Sequence, residues 1–201
     1  MMRAPEQLLQ EAREGDAAAV GRLLELYRRY LTLLARVQIG QRLQGKVDPA
    51  DLVQDTFLDA HRNFARFRGT TEAELVSWLR QILAAKLADL LRHYLGTKGR
   101  DVRLEREIRE AIDQSSVLLD RGLIAQQSSP SQQAANREQA VLLADALGEL
   151  PDNYREVIVL RHLEGLTFPE VARRMERSVD SVEKLWMRAL VQLRQIMGAA
   201  T

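Results

Sequence analysis

The sequence predicts an all-α protein in which two small helical domains are joined by a flexible linker. Leu, Ala, Arg, Gln and Glu dominate the 201 residues, and these side chains lose little freedom in a helix. β-branched and aromatic residues are sparse, which disfavours a core built from sheets. Apolar residues recur at helical spacing in both halves of the chain, whereas the middle is polar.

Helices are expected wherever apolar residues return every three or four positions, because such residues share one helical face. In the first half, the predicted helices span Glu6–Glu14, Asp16–Gln38, Asp48–Phe67 and Leu75–Leu95. In the second half, they span Asn136–Glu149, Asp152–Glu164, Phe168–Met175 and Val179–Met197. The third helix has a clear start signal, since Asp48 suits its N-cap and Pro49 suits its first position.

The middle of the chain separates the two domains. Between Gly99 and Ile112 charged residues are dense and the helical pattern is weak. The polar run Gln126–Gln133 cannot bury enough apolar surface to order itself. We therefore predict an N-terminal domain over residues 1–98, a flexible linker over 99–135 and a C-terminal domain over 136–201.

Composition and motifs argue against several classes of protein. The absence of cysteine excludes disulfides and thiolate metal sites, and charges interrupt the long apolar segments, so no membrane insertion is expected. His61, His93 and His162 are isolated, and neither a Gly-rich phosphate loop nor a nucleophile elbow is present. We therefore expect a cytoplasmic protein with no enzymatic activity, no cofactor and no bound metal.

The last third of the chain has the spacing of a helix-turn-helix. Leu150-Pro151 opens a helix that stops at Gly165, a suitable residue just after a helix end. Thr167 and Glu170 then form the T-x-x-E pattern of a capping box at the start of a short helix. A tight turn, Glu176-Arg177-Ser178, leads into a longer amphipathic helix, as in DNA-binding helix-turn-helix motifs.

Local charge favours DNA as the partner of this motif. The chain has a net charge of only +1, but Val171–Met197 holds six basic and three acidic residues. Basic side chains on a helix in the major groove contact phosphates and read guanine edges. The residues assigned to DNA contact are Arg177, Ser178, Ser181, Lys184, Met187 and Arg188. A plain helical hairpin with solvated Arg and Lys side chains is the alternative.

The C-terminal domain resembles region 4 of sigma-70 family factors. The residues that carry the resemblance are Leu147–Pro151, Arg155, Val157, Glu164–Thr167, Glu170–Ala172, Ser178–Val182 and Arg188–Leu190. The resemblance implies binding of the −35 promoter element and contact with the polymerase flap. The sequence departs from the family at Glu176, where Gly is common, and at Glu183 and Leu185, where many members carry basic residues.

The N-terminal domain resembles region 2 of the same family. Asp48–Leu58 is similar to region 2.2, and Phe64, Phe67, Gly69 and Trp78-Leu79 follow in the family's order. Together the two resemblances cover about Glu11–His93 and Asn136–Arg194. Region 2.2 of the family binds the clamp helices of the largest polymerase subunit. The residues assigned to this contact are Asp48, Asp51, Gln54, Asp55 and Phe57.

The same helix carries an acidic stripe formed by Asp51, Asp55 and Asp59 at i, i+4 and i+8. On the residues alone, three interpretations stay open. The stripe could be a metal or acid–base site completed by other elements, a solvated face, or a docking face for a basic partner. The resemblance favours the docking face.

The next predicted helix mixes basic and aromatic side chains. Such a mixture suits single-stranded DNA, because cations follow the backbone and rings stack on bases. The residues assigned to DNA contact are Arg80, Lys86 and Arg92, and the alternative is a buried Trp78 with solvated arginines. The resemblance implies that this helix and the loop Arg68–Glu74 bind the −10 element, where a base is turned out of the duplex.

Both resemblances together identify the chain as similar to sigma factors of the extracytoplasmic-function type. The expected partners are RNA polymerase core and promoter DNA, and an anti-sigma factor is a candidate further partner. A helix-turn-helix regulator of the response-regulator or repressor type is the alternative. A helical adaptor without a DNA role is a third hypothesis.

Overall fold

The computed structural model describes residues 5–43, 47–95, 102–120 and 133–199, and none of these residues lies in a strand. Within them the α-helices are α1 (Pro5–Arg13), α2 (Ala17–Glu25), α3 (Arg28–Leu43), α4 (Pro49–Asn63), α5 (Glu72–Leu95), α6 (Val102–Asp120), α7 (Gln133–Glu149), α8 (Asp152–Ile158), α9 (Phe168–Arg174) and α10 (Val179–Ala199). The chain divides into two compact units, Met1–Gln114 and Ser115–Thr201. The predicted all-α class with two helical parts is confirmed.

Side-chain caps set where two helices of the first unit begin. Asp16 accepts hydrogen bonds from the backbone N–H groups of Ala18 and Ala19 at 2.8 and 3.1 Å, ahead of α2. Asp48 accepts from the backbone N–H of Ala50 at 2.8 Å, and Pro49 is the first residue of α4. Each cap satisfies N–H groups that have no partner within the helix. The predicted start of α4 is therefore confirmed.

The first long predicted helix, Asp16–Gln38, is wrong as a continuous element. α2 and α3 are separated by a turn at Tyr27. Tyr27 is buried, and its hydroxyl donates to Glu72 Oε1 at the start of α5 at 3.0 Å. This contact between distant segments accompanies the break, and apolar spacing along one helix carries no information about it.

The core of the first unit lies between α3, α4 and α5, which contact one another. α4 contributes Leu52, Val53 and Ala60 to the buried side, and α5 contributes a row that includes Leu79 and Leu83. Thr56 is fully buried, and its hydroxyl donates to the Leu52 carbonyl at 2.8 Å, so no polar atom of that side chain is left without a partner. The opposite side of α4 is therefore free to face solvent.

The prediction of a flexible linker over 99–135 is wrong for Val102–Asp120, which forms α6. Ile108 and Ile112, one turn apart, are both buried. This burial stabilises the helix, although the local apolar pattern is weak. The boundary between the two compact units falls within the sequence of α6, between Gln114 and Ser115. The limits of 1–98 and 136–201 remain predictions, and the polar run at 126–132 lies outside the described residues.

The second unit contains the predicted helix-turn-helix. α8 continues as a π-helical turn, Val159–Leu163, in which the N–H of Glu164 donates to the Val159 carbonyl at 3.0 Å. Gly165 has φ +72°, the left-handed conformation expected just after a helix end. The backbone N–H and the hydroxyl of Thr167 both donate to Glu170 Oε2 at 2.7 Å, so the predicted capping box of α9 is present.

Arg155 closes the end of α7, a role that the sequence pattern does not reveal. Its guanidinium donates to the carbonyls of Leu147 and Leu150, each at 2.9 Å. It also forms an ion pair with Asp152 at 3.2 Å. Carbonyls at a helix end lack partners within the helix, so one side chain of α8 supplies the donors for the last turn of α7.

The turn between α9 and α10 contains a strained residue. Glu176 has φ +53°, and among the described residues it is the only residue other than glycine with a positive φ. This conformation costs an ordinary L-residue about 1 kcal/mol. Ser178 follows at the start of α10, where its hydroxyl accepts from the backbone N–H of Ser181 at 3.3 Å. The turn therefore has the shape that glycine favours, although glutamate occupies it.

An aromatic cluster joins α10 to the segments before it. The indole N–H of Trp186 donates to His162 Nε2 at 2.9 Å, and the two rings stack with centroids 5.9 Å apart. Phe168 meets Trp186 edge-on at 5.4 Å, and the Arg161 guanidinium lies 5.0 Å from the Phe168 ring. Burial, followed by the nearby positive charge of Arg161, lowers the pKa of His162. The imidazole must be neutral to accept the indole proton at Nε2.

Replacing Glu176 by glycine should stabilise the second unit by about 0.5–1 kcal/mol, because glycine adopts positive φ without a steric cost. Urea unfolding followed by Trp186 fluorescence, in a Trp78→Phe background, measures the change. Arg177→Gly at the next position is the control, and it should stabilise nothing because Arg177 does not have positive φ. Equal stabilities for both variants would contradict the argument from backbone strain.

The second unit should lose stability as the pH falls below 6.5, the ordinary pKa of histidine. Below that pH the unfolded chain takes up a proton at His162 while the folded chain, with its lowered pKa, does not. The loss should continue until the pH reaches the folded pKa. The same fluorescence assay across pH 5–7 checks this: His162→Gln should flatten the slope relative to the parent, and His93→Gln should leave it unchanged.

Candidate nucleic-acid and protein-binding surfaces

The exposed side of α4 carries two carboxylates beside an apolar side chain. Asp51 and Asp55 lie one turn apart and are both exposed, and Leu58 next to them is 45% exposed. Neither carboxylate forms an ion pair with another described residue. Asp48 is also exposed, although its carboxylate is engaged as the N-cap of α4. This face therefore presents negative charge next to exposed apolar surface.

The predicted acidic stripe is shorter than expected. Asp59 Oδ2 forms an ion pair with Lys86 Nζ of α5 at 2.9 Å, and Asp59 Oδ1 accepts from Asn63 Nδ2 at 2.8 Å. Its charge is thus matched inside the first unit. The stripe that remains consists of Asp51 and Asp55.

Arg28 organises the neighbouring residues Gln54 and Phe57. Its two terminal nitrogens each donate to Gln54 Oε1 at 3.4 Å, and its guanidinium carbon lies 4.9 Å from the centre of the Phe57 ring. Arg28 also forms an ion pair with Glu25 at 2.7 Å. Phe57 itself is 7% exposed and packs beneath this face, and its assigned contact with a partner stays a prediction. Sequence reasoning missed Arg28, because it lies on a different helix from the motif.

The loop before α5 is held in one shape by Glu74. Glu74 Oε2 accepts from the backbone N–H groups of Thr70 at 2.8 Å and Thr71 at 3.0 Å, and from the Thr71 hydroxyl at 2.9 Å. In return, the backbone N–H of Glu74 donates to the Thr71 hydroxyl at 3.2 Å. These bonds form a capping box and lower the pKa of Glu74, with the Thr70 N–H as the largest cause. α5 consequently begins at Glu72, three residues before its predicted start.

Gly69 allows the same loop to fold tightly against its surroundings. A Cβ atom at this position would lie 2.2 Å from Phe67 Cζ and 2.8 Å from Glu74 Cβ. The Phe67 ring in turn lies 5.0 Å from Trp78 and 5.8 Å from Phe64. Phe64 is buried and Trp78 is partly buried, so these rings form the base on which the loop rests.

The three basic residues assigned to DNA on α5 all form ion pairs within the first unit. Arg80 Nε lies 3.1 Å from Asp113 Oδ1, and the Arg80 side chain is only 13% exposed. Arg92 pairs with Asp89 and, at 3.4 Å, with Glu105, and its side chain is 16% exposed. Lys86 pairs with Asp59 as described above. Their role in DNA binding stays a prediction, and in this conformation their charges face protein carboxylates.

The exposed cations near the loop are instead Arg62, Arg66 and Arg68. They follow one another across the end of α4, the 3₁₀ turn Phe64–Arg66 and the loop, and none forms an ion pair with another described residue. Their charge, alternating with Phe64 and Phe67, was a signal in the sequence that sequence reasoning left unused. Together with the loop they form an exposed basic edge of the first unit.

The predicted DNA-contact residues in the middle of α10 are exposed, but they differ in whether their charges form ion pairs. Arg188 is exposed and makes no ion pair with a described residue, and Met187 beside it is 53% exposed. Lys184 is exposed too, but its ammonium forms an ion pair with Asp180 at 2.7 Å. Leu185 is buried, as expected for the inward side of this helix.

The start of α10 adds a second part to this surface. Arg177 and Ser178 are exposed and Ser181 is partly buried. Arg177 and Ser178 line an open cleft of about 520 Å³ together with Arg173 and Glu176. The N–H groups at the start of a helix attract anions, so the cleft combines this property with two guanidinium groups. The carboxylate of Glu176 opposes it.

Two further types of site were sought in the described part of the chain. No group of three His, Asp or Glu side chains there could hold a metal ion. No helix within the described ranges has both the length and the apolar character needed to cross a membrane.

Family models and relatives match both units. Residues 26–94 match the model described as "Sigma-70 region 2", and residues 140–193 match "Sigma-70, region 4". The "ECF RNA polymerase sigma-E factor" of Haemophilus influenzae is 26% identical over 92% of this chain and 90% of its own length. The protein of the same name from Escherichia coli K12 is 26% identical over 90% of this chain and 88% of its own length.

A third relative and a solved structure extend the comparison. The "ECF RNA polymerase sigma factor BldN" of Streptomyces coelicolor is 29% identical over 95% of this chain, which spans 65% of that protein. The solved RsbN–BldN complex matches 94% of this chain and 98% of its own at 24% identity, with a TM-score of 0.33. The two family models together cover more than half of the chain, in the family's order. The chain therefore belongs to the sigma-70 family of RNA polymerase sigma factors, in its extracytoplasmic-function group.

Proposed function

We propose that this sigma factor, which directs promoter recognition and transcription initiation, binds RNA polymerase core through the exposed face of α4. It binds promoter DNA through α10 and through the basic edge of the first unit. The observation that carries the proposal is the pair of exposed carboxylates Asp51 and Asp55, which form no ion pair with a described residue and lie inside the region 2 match.

The chemistry of the α4 face suits a basic protein surface. Asp51 and Asp55 supply charge, which guides association and selects the partner. Leu58 supplies apolar area, and Gln54, oriented by Arg28, supplies an amide for hydrogen bonding. Asp48 has a structural role, because it caps the helix that carries the other residues of this face. Phe57 contributes by packing beneath them.

The chemistry of α10 suits the major groove of duplex DNA. Arg188 can donate two hydrogen bonds to a guanine edge or one to a phosphate, and Met187 can contact a thymine methyl group. The N-terminal cleft with Arg177 and Ser178 suits a phosphate. Glu183, exposed on the same helix, accepts from cytosine or repels the backbone.

The first unit offers the second DNA surface. Arg62, Arg66 and Arg68 are positioned to follow a strand, and the shape of the loop is fixed by Glu74 and Gly69 before any DNA arrives. A preformed loop loses less entropy on binding. The contribution of Arg80, Lys86 and Arg92 depends on release from their carboxylate partners.

The alternative functions have less support. A helix-turn-helix protein of the response-regulator or repressor type would not be expected to match region 2. An adaptor without a DNA role leaves the exposed cations of α10 unexplained. An anti-sigma factor stays a predicted partner on the strength of the sequence resemblance.

Asp51→Lys combined with Asp55→Lys should abolish binding to polymerase core. Each change places a positive charge against a basic surface, and the pair should cost at least about 2 kcal/mol of binding free energy. Competition with a labelled sigma factor for purified core measures the loss, and far-UV circular dichroism checks that helicity is kept. Glu107→Lys with Glu110→Lys, an equal charge change at exposed sites on α6, is the control. Full competition by the α4 variant would refute the proposed docking face.

Arg188→Ala should weaken promoter binding more than Lys184→Ala, because Lys184 must first leave Asp180. For a guanine contact, the loss should be about 1–3 kcal/mol and confined to one base pair. For a phosphate contact, affinity should fall evenly and the salt slope should decrease by about one.

The measurement uses holoenzyme and a promoter selected from a randomised library, compared with base-substituted versions at several salt concentrations. Arg109→Ala, an exposed cation on α6, is the charge-matched control. If both α10 variants bind with the parent's affinity and salt slope, α10 does not face DNA.

A further inference from the structure

Two ion pairs link α6 to α5, and their order shows that the two helices run in opposite directions. Asp113, late in α6, pairs with Arg80 early in α5, and Glu105, early in α6, pairs with Arg92 late in α5. Glu105, Ile108, Ile112 and Asp113 follow the spacing i, i+3, i+7, i+8, which places them on one helical face. Ile108 and Ile112 are buried. One face of α6 thus offers two carboxylates beside a short apolar strip.

The pairing conceals the guanidinium groups of α5. The side chains of Arg80 and Arg92 are 13% and 16% exposed, so a phosphate cannot reach them from solvent while α6 is in place. Tyr30 holds a further contact, since Arg80 Nη1 donates to its hydroxyl at 3.3 Å. An anion that binds either guanidinium group must therefore compete with a carboxylate of α6.

We propose that α6 is an internal occupant of the α5 nucleic-acid surface, and that a single DNA strand binds Arg80 and Arg92 only when it displaces the first three turns of α6. The proposal rests on the function proposed above. It explains why α5 can carry strand-binding cations and still show them engaged. The α6 carboxylates and the DNA backbone are alternative anionic partners of these groups, and Arg92 also pairs with Asp89 inside α5.

α6 has the properties of a segment that can be displaced. Along residues 103–114 the buried side chains are Ile108 and Ile112, while Arg106, Glu107, Arg109 and Glu110 are exposed. Segments with few buried apolar contacts open at low free-energy cost. The ion pairs weaken with salt only partly, because their guanidinium groups are largely shielded from solvent. A polyanion can replace both α6 carboxylates at once as a partner of the guanidinium groups, whereas water cannot.

The test compares two doubly substituted full-length chains. Glu105→Gln with Asp113→Asn removes the charges that face α5 and keeps side-chain size. Glu107→Gln with Glu110→Gln removes the same charge from the exposed side, where Glu110 makes only a 3.7 Å pair with Arg106. Both variants have the same net charge, so a general electrostatic effect on DNA affinity cancels. Circular dichroism checks that both keep their helices.

Affinity for a fluorescein-labelled single-stranded DNA of mixed sequence is measured by anisotropy. The variant on the facing side should bind about five-fold more tightly than the control variant, since two ion pairs no longer compete. The slope of log affinity against log salt should be the same for both variants, because the bound strand meets the same two cations once α6 is displaced. In the parent chain, adding the DNA should speed amide hydrogen exchange along residues 103–114. Exchange in α9 should not become faster.

Equal affinities for the two variants, or unchanged exchange in α6 on adding DNA, would overturn the proposal. Core-binding competition on the same preparations separates this failure from failure of the proposed function. A chain that binds core and shows no difference between variants refutes the role of α6 alone. A chain that does not bind core refutes the proposed function.

Discussion

Helix ends are the constraint on which both units of this protein depend. Short helices joined by tight turns leave many backbone N–H and carbonyl groups without partners inside the helices, and each must be satisfied locally. Asp48, Glu74 and Glu170 do so at helix starts, and Arg155 does so at the end of α7. All four lie among the residues that carry the family resemblance or in the loop Arg68–Glu74. Motif residues here therefore hold the backbone in place, a role that is separate from the proposed contacts with partners.

Charge in this protein acts through its distribution, since the net value is only +1. Some acidic and basic groups are matched internally, as in the pairs of Lys86 with Asp59 and Arg80 with Asp113. Others, such as Asp51 and Arg188, are exposed and form no ion pair with any described residue. Exposed unmatched charges are available to partners at little cost, whereas matched ones must be released first. Two oppositely charged working surfaces can thus coexist on a nearly neutral chain.

Sequence reasoning succeeded where the information is local. The N-cap at Asp48, the stop at Gly165 and the capping box at Thr167 each depend on residues within one turn, and the structure has all three. It failed where distant segments decide. The break at Tyr27 coincides with a contact to Glu72, and α6 forms where burial compensates for a weak apolar pattern.

The same contrast between local and distant information applies to the candidate surfaces. The exposed side of α10 follows from helical periodicity, which placed Leu185 inward and Arg188 outward. The pairs of Arg80 with Asp113 and of Arg92 with Glu105 could not be predicted, because both carboxylates lie on α6, in a segment that the sequence analysis assigned to a linker. Arg62, Arg66 and Arg68 could have been recognised from the sequence, because they alternate with Phe64 and Phe67.

The π-helical turn at Val159–Leu163 affects how this chain compares with its relatives. A π turn closes hydrogen bonds to the fifth residue back, so it holds one residue more than the α-helical turn it replaces. Removing one residue would restore a regular helix but rotate the side chains on its two sides relative to each other by about 100°. His162 would then lose its alignment with Trp186 unless the ends of the helix moved. A relative that lacks this residue would therefore be matched by a one-residue gap inside a helix, a place where gaps are otherwise avoided.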